Sequence, residues 1–190
     1  MLILGSNGFE MAETREKICE LIPDRSGRLL ILPLARQTDR QSRERIRNSA
    51  LLAGFKRDNI CVFNEEEPES LDGEHFDYIA VPGGNTFRLL GLVRKYGLDI
   101  FIRQQIAEGA VYLGFSAGAC LATPDIGYIH GYDDIVEITD GDYRALALTD
   151  KYVLCHFDYR DQRDIRHCRD YFGEEPELIT IWEHEIVVLP

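Results

Sequence analysis

The sequence predicts an α/β protein, with a three-layer, doubly wound and mostly parallel sheet covered by helices on both faces. Three observations predict it. Short apolar runs such as "RLLILPLA" (28–35), "DYIAV" (77–81) and "AVYLGF" (110–115) show no period-2 alternation, as expected of strands buried on both faces. Amphipathic stretches of helical spacing separate the runs. The runs end on Gly, Asn or Ser, as in "GSNGF" and "VPGGNT", the residue types that let a strand turn sharply into a helix.

Each element follows from its local pattern. "MLIL" is a strand, "GSNGF" its turn, and "MAETREKICELI" (11–22) a helix. "RLLILPLA" leads to the charged helix "RQSRERIRNSALLAGF" (40–55), in which Ile46, Ala50 and Ala53 form the apolar stripe. "NICVF" (59–63) is a strand followed by the acidic loop "NEEEPESLDGEH". "DYIAVPGGNT" is a strand that ends on two glycines before the helix "FRLLGLVRKYG" (87–97). "LDIFIRQQIAEG" (98–109) is a helix, and "AVYLGF" the next strand. "KYVLCHF" (151–157) is a strand, "DQRDIRHCRDYFG" (161–173) a helix, and "LITIW" with "IVVL" a closing hairpin. No repeat, low-complexity tract or linker interrupts residues 1–190, which read as a single domain.

Whole-chain properties narrow the function. A chain of 190 residues buries roughly 70% of its unfolded surface, and 45% apolar with 28% charged residues excludes a disordered chain. The formal charge of −12, from 33 acids and 21 bases, argues against nucleic acid, whose phosphates need a concentrated basic face. Five scattered cysteines with no C-x-x-C spacing argue against a disulfide framework or zinc knuckle and for a reducing, cytoplasmic location. The N-terminus predicts no signal peptide, and no stretch approaches the ~20 apolar residues of a membrane span.

Chemistry concentrates at three strand ends, where doubly wound sheets place their ligands. "GFSAGA" (114–119) sets Ser116 between small residues after an apolar run, the pattern of a nucleophile elbow. The first amides beyond it, those of Ala117 and Gly118, can face an oxyanion. "VPGGNT" (81–86) offers further backbone amides, with Asn85 and Thr86 placed to cap the next helix. It is not a phosphate loop, because G-x-x-x-x-G-K-[ST] is absent. "VLCHF" (153–157) puts His156 at a strand end downstream of the serine, the best placed of five histidines to act as base. His184, by contrast, lies near the terminus among glutamates.

Together "VPGGNTF", "GFSAGA" and "LCHF" resemble the peptidase E family of serine peptidases. That family includes aspartyl dipeptidases and sits on a class I glutamine amidotransferase-like, flavodoxin-like scaffold. The resemblance runs from about residue 28 to the C-terminus and includes "LPLA", "TPDIGYIHGYDD", "YRALALTD" and "EHEIVV". It implies Ser116 as nucleophile, His156 as general base, and an oxyanion hole from the Gly84 and Ala117 amides. The third triad member it implies is an acid in "HGYDDIVE" (130–137): Asp133, with Asp134 and Glu137 as alternatives. It further implies hydrolysis of short peptides, Asp-X dipeptides among them, with Asn85, Thr86 and Arg160 contacting substrate. No metal or organic cofactor is called for. Expected partners are a short peptide, with neither nucleic acid nor membrane, and the chain is a monomer or homodimer.

Some positions depart from the family pattern. Gly131 falls where aspartyl dipeptidases have an aspartate, and Cys155 stands where proline is usual. Arg160 follows His156 by only four residues, and the closing hairpin is short. Two other readings stay open at this stage: an esterase-type serine hydrolase, which shares G-x-S-x-G, and a catalytically silent binding module on the same scaffold. A glutamine amidotransferase would need cysteine at the elbow, and Cys120 lies one helical turn past it.

Overall fold

The structure is a computed structural model that describes residues 1–157, 162–173 and 177–190. Strand β1 (Leu2–Gly5) leads to helix α1 (Ala12–Leu21), β2 (Leu29–Ile31) to α2 (Arg40–Leu52), and β3 (Ile60–Val62) to β4 (Tyr78–Val81). Helices α3 (Thr86–Lys95) and α4 (Leu98–Ala107) follow, then β5 (Val111–Phe115) and the five-residue helix α5 (Ala117–Leu121). The C-terminal part contributes β6 (Tyr152–Leu154), α6 (Gln162–Phe172), β7 (Leu178–Thr180) and β8 (Ile186–Leu189).

The main sheet has the order β3-β2-β4-β5-β1-β8, parallel throughout except for β8, which runs antiparallel to β1. Successive strand residues enter opposite cores, which explains the uninterrupted apolar runs. Leu2, Leu4, Ile79, Val81 and Tyr112 pack with Phe87, Leu90 and Ile102 of α3 and α4. Ile3, Leu29, Ile31, Ala80 and Leu113 pack with Ile18, Ala50 and Phe55 on the α1–α2 face. Each such leucine, isoleucine or phenylalanine contributes about 1.5–3 kcal/mol by leaving water. The result is the mostly parallel, helix-covered α/β sheet that the strand pattern predicts.

The closing hairpin does not form. β7 pairs in parallel with β6 in a separate two-stranded sheet, while β8 crosses over to the edge of β1. Adjacent apolar runs in the sequence look like hairpin partners, but each has a better-buried partner elsewhere. The crossing from β7 to β8 carries residues 181–185 over the C-terminal end of β1, beside Ser6 and Asn7. Among the described residues, no helix is long and apolar enough to cross a membrane.

Candidate active site

Ser116 alone makes the turn from β5 to α5, with φ 52° and ψ −113°. An L residue held there stores on the order of 1–3 kcal/mol of strain. Its N–H donates to the Gly5 carbonyl at 2.8 Å, and its own carbonyl accepts from Ala119 and Cys120 at 2.8 and 3.1 Å. The small residues around it are there for closeness of backbone. A Cβ on Gly118 would lie 2.0 Å from the Val81 carbonyl oxygen, and one on Gly114 would lie 2.6 Å from the Gly118 carbonyl oxygen. A Cβ on Gly83 would come within 2.8 Å of Ser116 Cβ and 3.3 Å of its Oγ.

His156 sits just past the end of β6 with φ 56°, the second non-glycine residue of the site in the left-handed region. Its N–H donates to Ser6 Oγ at 2.8 Å, and Ser6 donates onward to the Ile181 carbonyl at 2.9 Å. The imidazole Nε2 lies 3.0 Å from Ser116 Oγ, and Nδ1 lies 2.9 Å from Glu183 Oε1. An ionised carboxylate only accepts, so Nδ1 carries the proton and Nε2 offers its lone pair to the serine hydroxyl. Glu183 is held in turn by Asn7, whose Nδ2 donates to Oε2 at 2.8 Å and to the Glu183 carbonyl at 2.7 Å. The Asn7 hydrogen bond foremost, opposed by burial and supported by the pairing with His156, holds the Glu183 carboxyl below the usual glutamate range.

The acid beside His156 is therefore Glu183, where the sequence reading put Asp133. Asp133 Oδ2 instead accepts the Thr86 N–H at 2.7 Å, at the start of α3. Its two alternatives face the same helix: Asp134 accepts from Asn85 Nδ2 through its carbonyl at 2.8 Å, and Glu137 pairs with Arg88 at 3.2 Å. Asn85 caps α3 by accepting the Arg88 N–H at 2.8 Å, and Thr86 is buried. These contacts tie both residues to the start of α3. Arg88 is mostly buried between Glu65 and Glu137. Arg160 lies outside the described residues. Ser6, Asn7 and Glu183 were missed from sequence, although "GSNG" and "EHE" are polar groups at strand ends, which was the one available signal.

Gly84 has φ 148°, and a Cβ there would meet the Ala35 carbonyl oxygen at 2.5 Å. The amides of Gly84 and Ala117 donate to no protein group among the described residues. Because α5 has only five residues, any anion here meets individual amides and not a long helix dipole. Cys120 is buried in the core. The Cys155 thiol lies 3.8 Å from the carbonyl oxygens of Gly5 and Ser116, filling the space behind the elbow. Two cavities border residues around the site. One of about 650 Å³ is bordered by His156, Glu183, Leu21 and Trp182, and one of about 320 Å³ by Gly83, Phe115, Arg36 and Arg45. Among the described residues, no three His, Cys, Asp or Glu side chains converge as a metal site.

A strained serine, a histidine on its hydroxyl and a carboxylate on that histidine, at the C-terminal ends of a parallel sheet, form the arrangement of a serine hydrolase on an α/β scaffold. The family model of peptidase family S51 matches residues 1–189, and the chain belongs to that family. It is similar to the uncharacterized peptidase Lmo0363 of Listeria monocytogenes, at 36% identity over 118 residues, which are 60% of this chain and 56% of that protein. It is also similar to peptidase E of Escherichia coli O1:K1, at 47% identity over 114 residues, 57% of this chain and 48% of that one. The chain thus spans about half the length of the curated relatives it matches. A crystal structure of a candidate peptidase E from Listeria monocytogenes EGD-e superposes with a TM-score of 0.75 at 25% identity, covering 99% of this chain and 93% of that one. A peptidase from an acI-B1 Actinobacterium shares the fold with a TM-score of 0.68 at 18% identity, over 96% and 80% of the two chains. These neighbours are consistent with the flavodoxin-like, class I glutamine amidotransferase-like scaffold that the sequence predicts.

Proposed function

We propose that the chain is a serine peptidase that hydrolyses short peptides through Ser116, His156 and Glu183. The observation that carries the reading is the pair of contacts made by one imidazole, 3.0 Å to Ser116 Oγ and 2.9 Å to Glu183 Oε1. Ser116 Oγ attacks the scissile carbonyl while His156 Nε2 takes the hydroxyl proton. The carbonyl oxygen gains the negative charge and meets the amides of Gly84 and Ala117. As the tetrahedral species collapses, the C–N bond breaks and His156 gives its proton to the leaving amine. Water, deprotonated by the same imidazole, then attacks the acyl-enzyme and restores the serine hydroxyl. Glu183 keeps Nδ1 protonated and balances the imidazolium at each step.

Family membership and the similarity to peptidase E support a peptide substrate. The resemblance of the chain's motifs to those of aspartyl dipeptidases makes Asp-X dipeptides the class to try first. The carboxylate of Glu183, 2.9 Å from His156 Nδ1, supports this reading over a catalytically silent scaffold. The test is hydrolysis of Asp-Leu, Glu-Leu, Ala-Leu and acetyl-Asp-Leu by the purified protein, with Ser116→Ala as control. Cleavage of one of these, abolished in the variant, is the expected result. Cleavage that survives in Ser116→Ala would remove the serine from the mechanism, and no cleavage together with no labelling of Ser116 by a fluorophosphonate would remove the activity.

A further inference from the structure

Two thiols that the proposed mechanism does not use stand against its reacting residues. Cys155 directly precedes His156 in the chain, and Cys120 lies four residues past Ser116 in α5. They converge on one atom. The Ser116 carbonyl oxygen accepts the Cys120 N–H at 3.1 Å and the Cys155 thiol at 3.8 Å. The Cys155 thiol also lies 3.8 Å from the Gly5 carbonyl oxygen, and the Cys120 thiol 3.8 Å from that of Val153, two residues before Cys155. Each thiol therefore reaches from its own element to the other's, Cys155 to the elbow of Ser116 and Cys120 to the strand that leads to His156. Both are free, Cys120 buried and Cys155 half-buried.

The two sulfurs also act on each other. Cys155 donates toward Cys120, which favours a thiolate on Cys120 against the opposing effect of burial and makes the second proton of the pair hard to remove. The Cys168 thiol, by contrast, is pushed up to about 12, chiefly by burial. The pair thus holds what thiol oxidation needs, one thiolate beside a second thiol, and half-buried Cys155 gives a small oxidant its way in.

We propose that Cys120 and Cys155 form a peroxide-responsive dithiol that closes to a disulfide and, in closing, draws His156 away from Ser116. The thiolate sulfur attacks hydrogen peroxide: an S–O bond forms, the O–O bond breaks, and the departing hydroxide takes up a proton as water. The second sulfur gives up its proton and displaces hydroxide from the sulfenic acid, forming the S–S bond and a second water. Two thiols and one peroxide thus become one disulfide and two waters. Closure brings the sulfurs to ~2.05 Å, well inside any non-bonded contact. Cys155 is bonded to His156, whose φ of 56° gives it little slack, and a misplacement of about 1 Å at a reacting pair costs up to ~10²-fold in rate. A dithiol reductant reverses the change by exchange. The disulfide itself does not depend on the serine-peptidase reading, whereas the loss of turnover does.

Wild-type protein treated with hydrogen peroxide, alkylated and digested without reduction should yield a linked Cys120–Cys155 peptide by mass spectrometry. Labelling of Ser116 by a fluorophosphonate should slow by roughly 10- to 100-fold as the link forms, and dithiothreitol should restore it. Cys120→Ala and Cys155→Ala should each label like wild type before peroxide and keep that rate after it. The His156 imidazole resonances, assigned with His156→Gln, should shift on oxidation of wild type and stay in place in either variant. Both thiols still open to alkylation after peroxide, a Cys120–Cys168 link, or a Cys120–Cys155 link that leaves the His156 resonances in place would overturn the proposal. Absence of Ser116 labelling before any oxidation contradicts the peptidase reading instead, and the linked peptide with the His156 shift then decides this one alone.

Discussion

At the scale of single residues, the site works by depriving two side chains of alternatives. Ser116 and His156 both occupy left-handed backbone conformations, at φ 52° and 56°, so neither can relax away from the other without moving the strand end it sits on. Removing either should lower kcat/KM for a cleaved dipeptide by about 10³-fold or more, and the double variant should be little worse than each single one, because the two act as a unit. In the proposed mechanism Glu183 acts through His156 and is a positioning residue. Its carboxyl is held below the usual glutamate range in part by His156. Glu183→Gln should therefore lower kcat by about 10²- to 10⁴-fold, which steady-state kinetics of that variant check. The stability sign follows from the lowered carboxyl. Its contribution is present above the pH at which an unfolded glutamate titrates and fades as pH falls through the lower folded value. Denaturant melts should accordingly separate wild type from Glu183→Gln at pH 7 and bring them together in acid.

At the scale of elements, the elbow is a three-way approach of backbones from β4, β5 and α5. Gly118→Ala would drive a methyl group to 2.0 Å from the Val81 carbonyl oxygen. It should destabilise the fold by about 1–3 kcal/mol, as overpacking does, and lower turnover because the displaced helix carries the Ala117 amide. Thermal melts beside the dipeptide assay would show it; a neutral Gly118→Ala would mean that the elbow has more room than the structure gives it. This part of the site was legible in the sequence, because a run of Gly and Ala around one serine has few other uses. The C-terminal elements were not. β7 and β8 are each only three or four residues long, and nothing local in "LITIW" or "IVVL" says that one joins β6 and the other β1. That choice depends on partners far away in the chain.

At the scale of the whole molecule, the fold reads easily and the acid does not, for the same reason. Strands buried on both faces show themselves as consecutive apolar residues, so the sheet and its helices follow from composition along the chain. The acid's position depends on where a loop travels. Glu183 reaches His156 only because β8 crosses to the edge of β1 and lays residues 181–185 over Asn7. Asp133, nearer to the serine in sequence, is instead drawn onto the start of α3 by the Thr86 amide. The central claim is that Ser116, His156 and Glu183 form one catalytic unit, and comparing Glu183→Gln with Asp133→Asn in a single dipeptide assay tests it most directly. The structure predicts a loss of about 10²-fold or more for Glu183→Gln, and for Asp133→Asn a change near the ~1 kcal/mol in stability typical of a weakened helix cap with turnover largely kept. Abolished turnover in Asp133→Asn beside an active Glu183→Gln would contradict it and return the acid to the loop after the elbow helix.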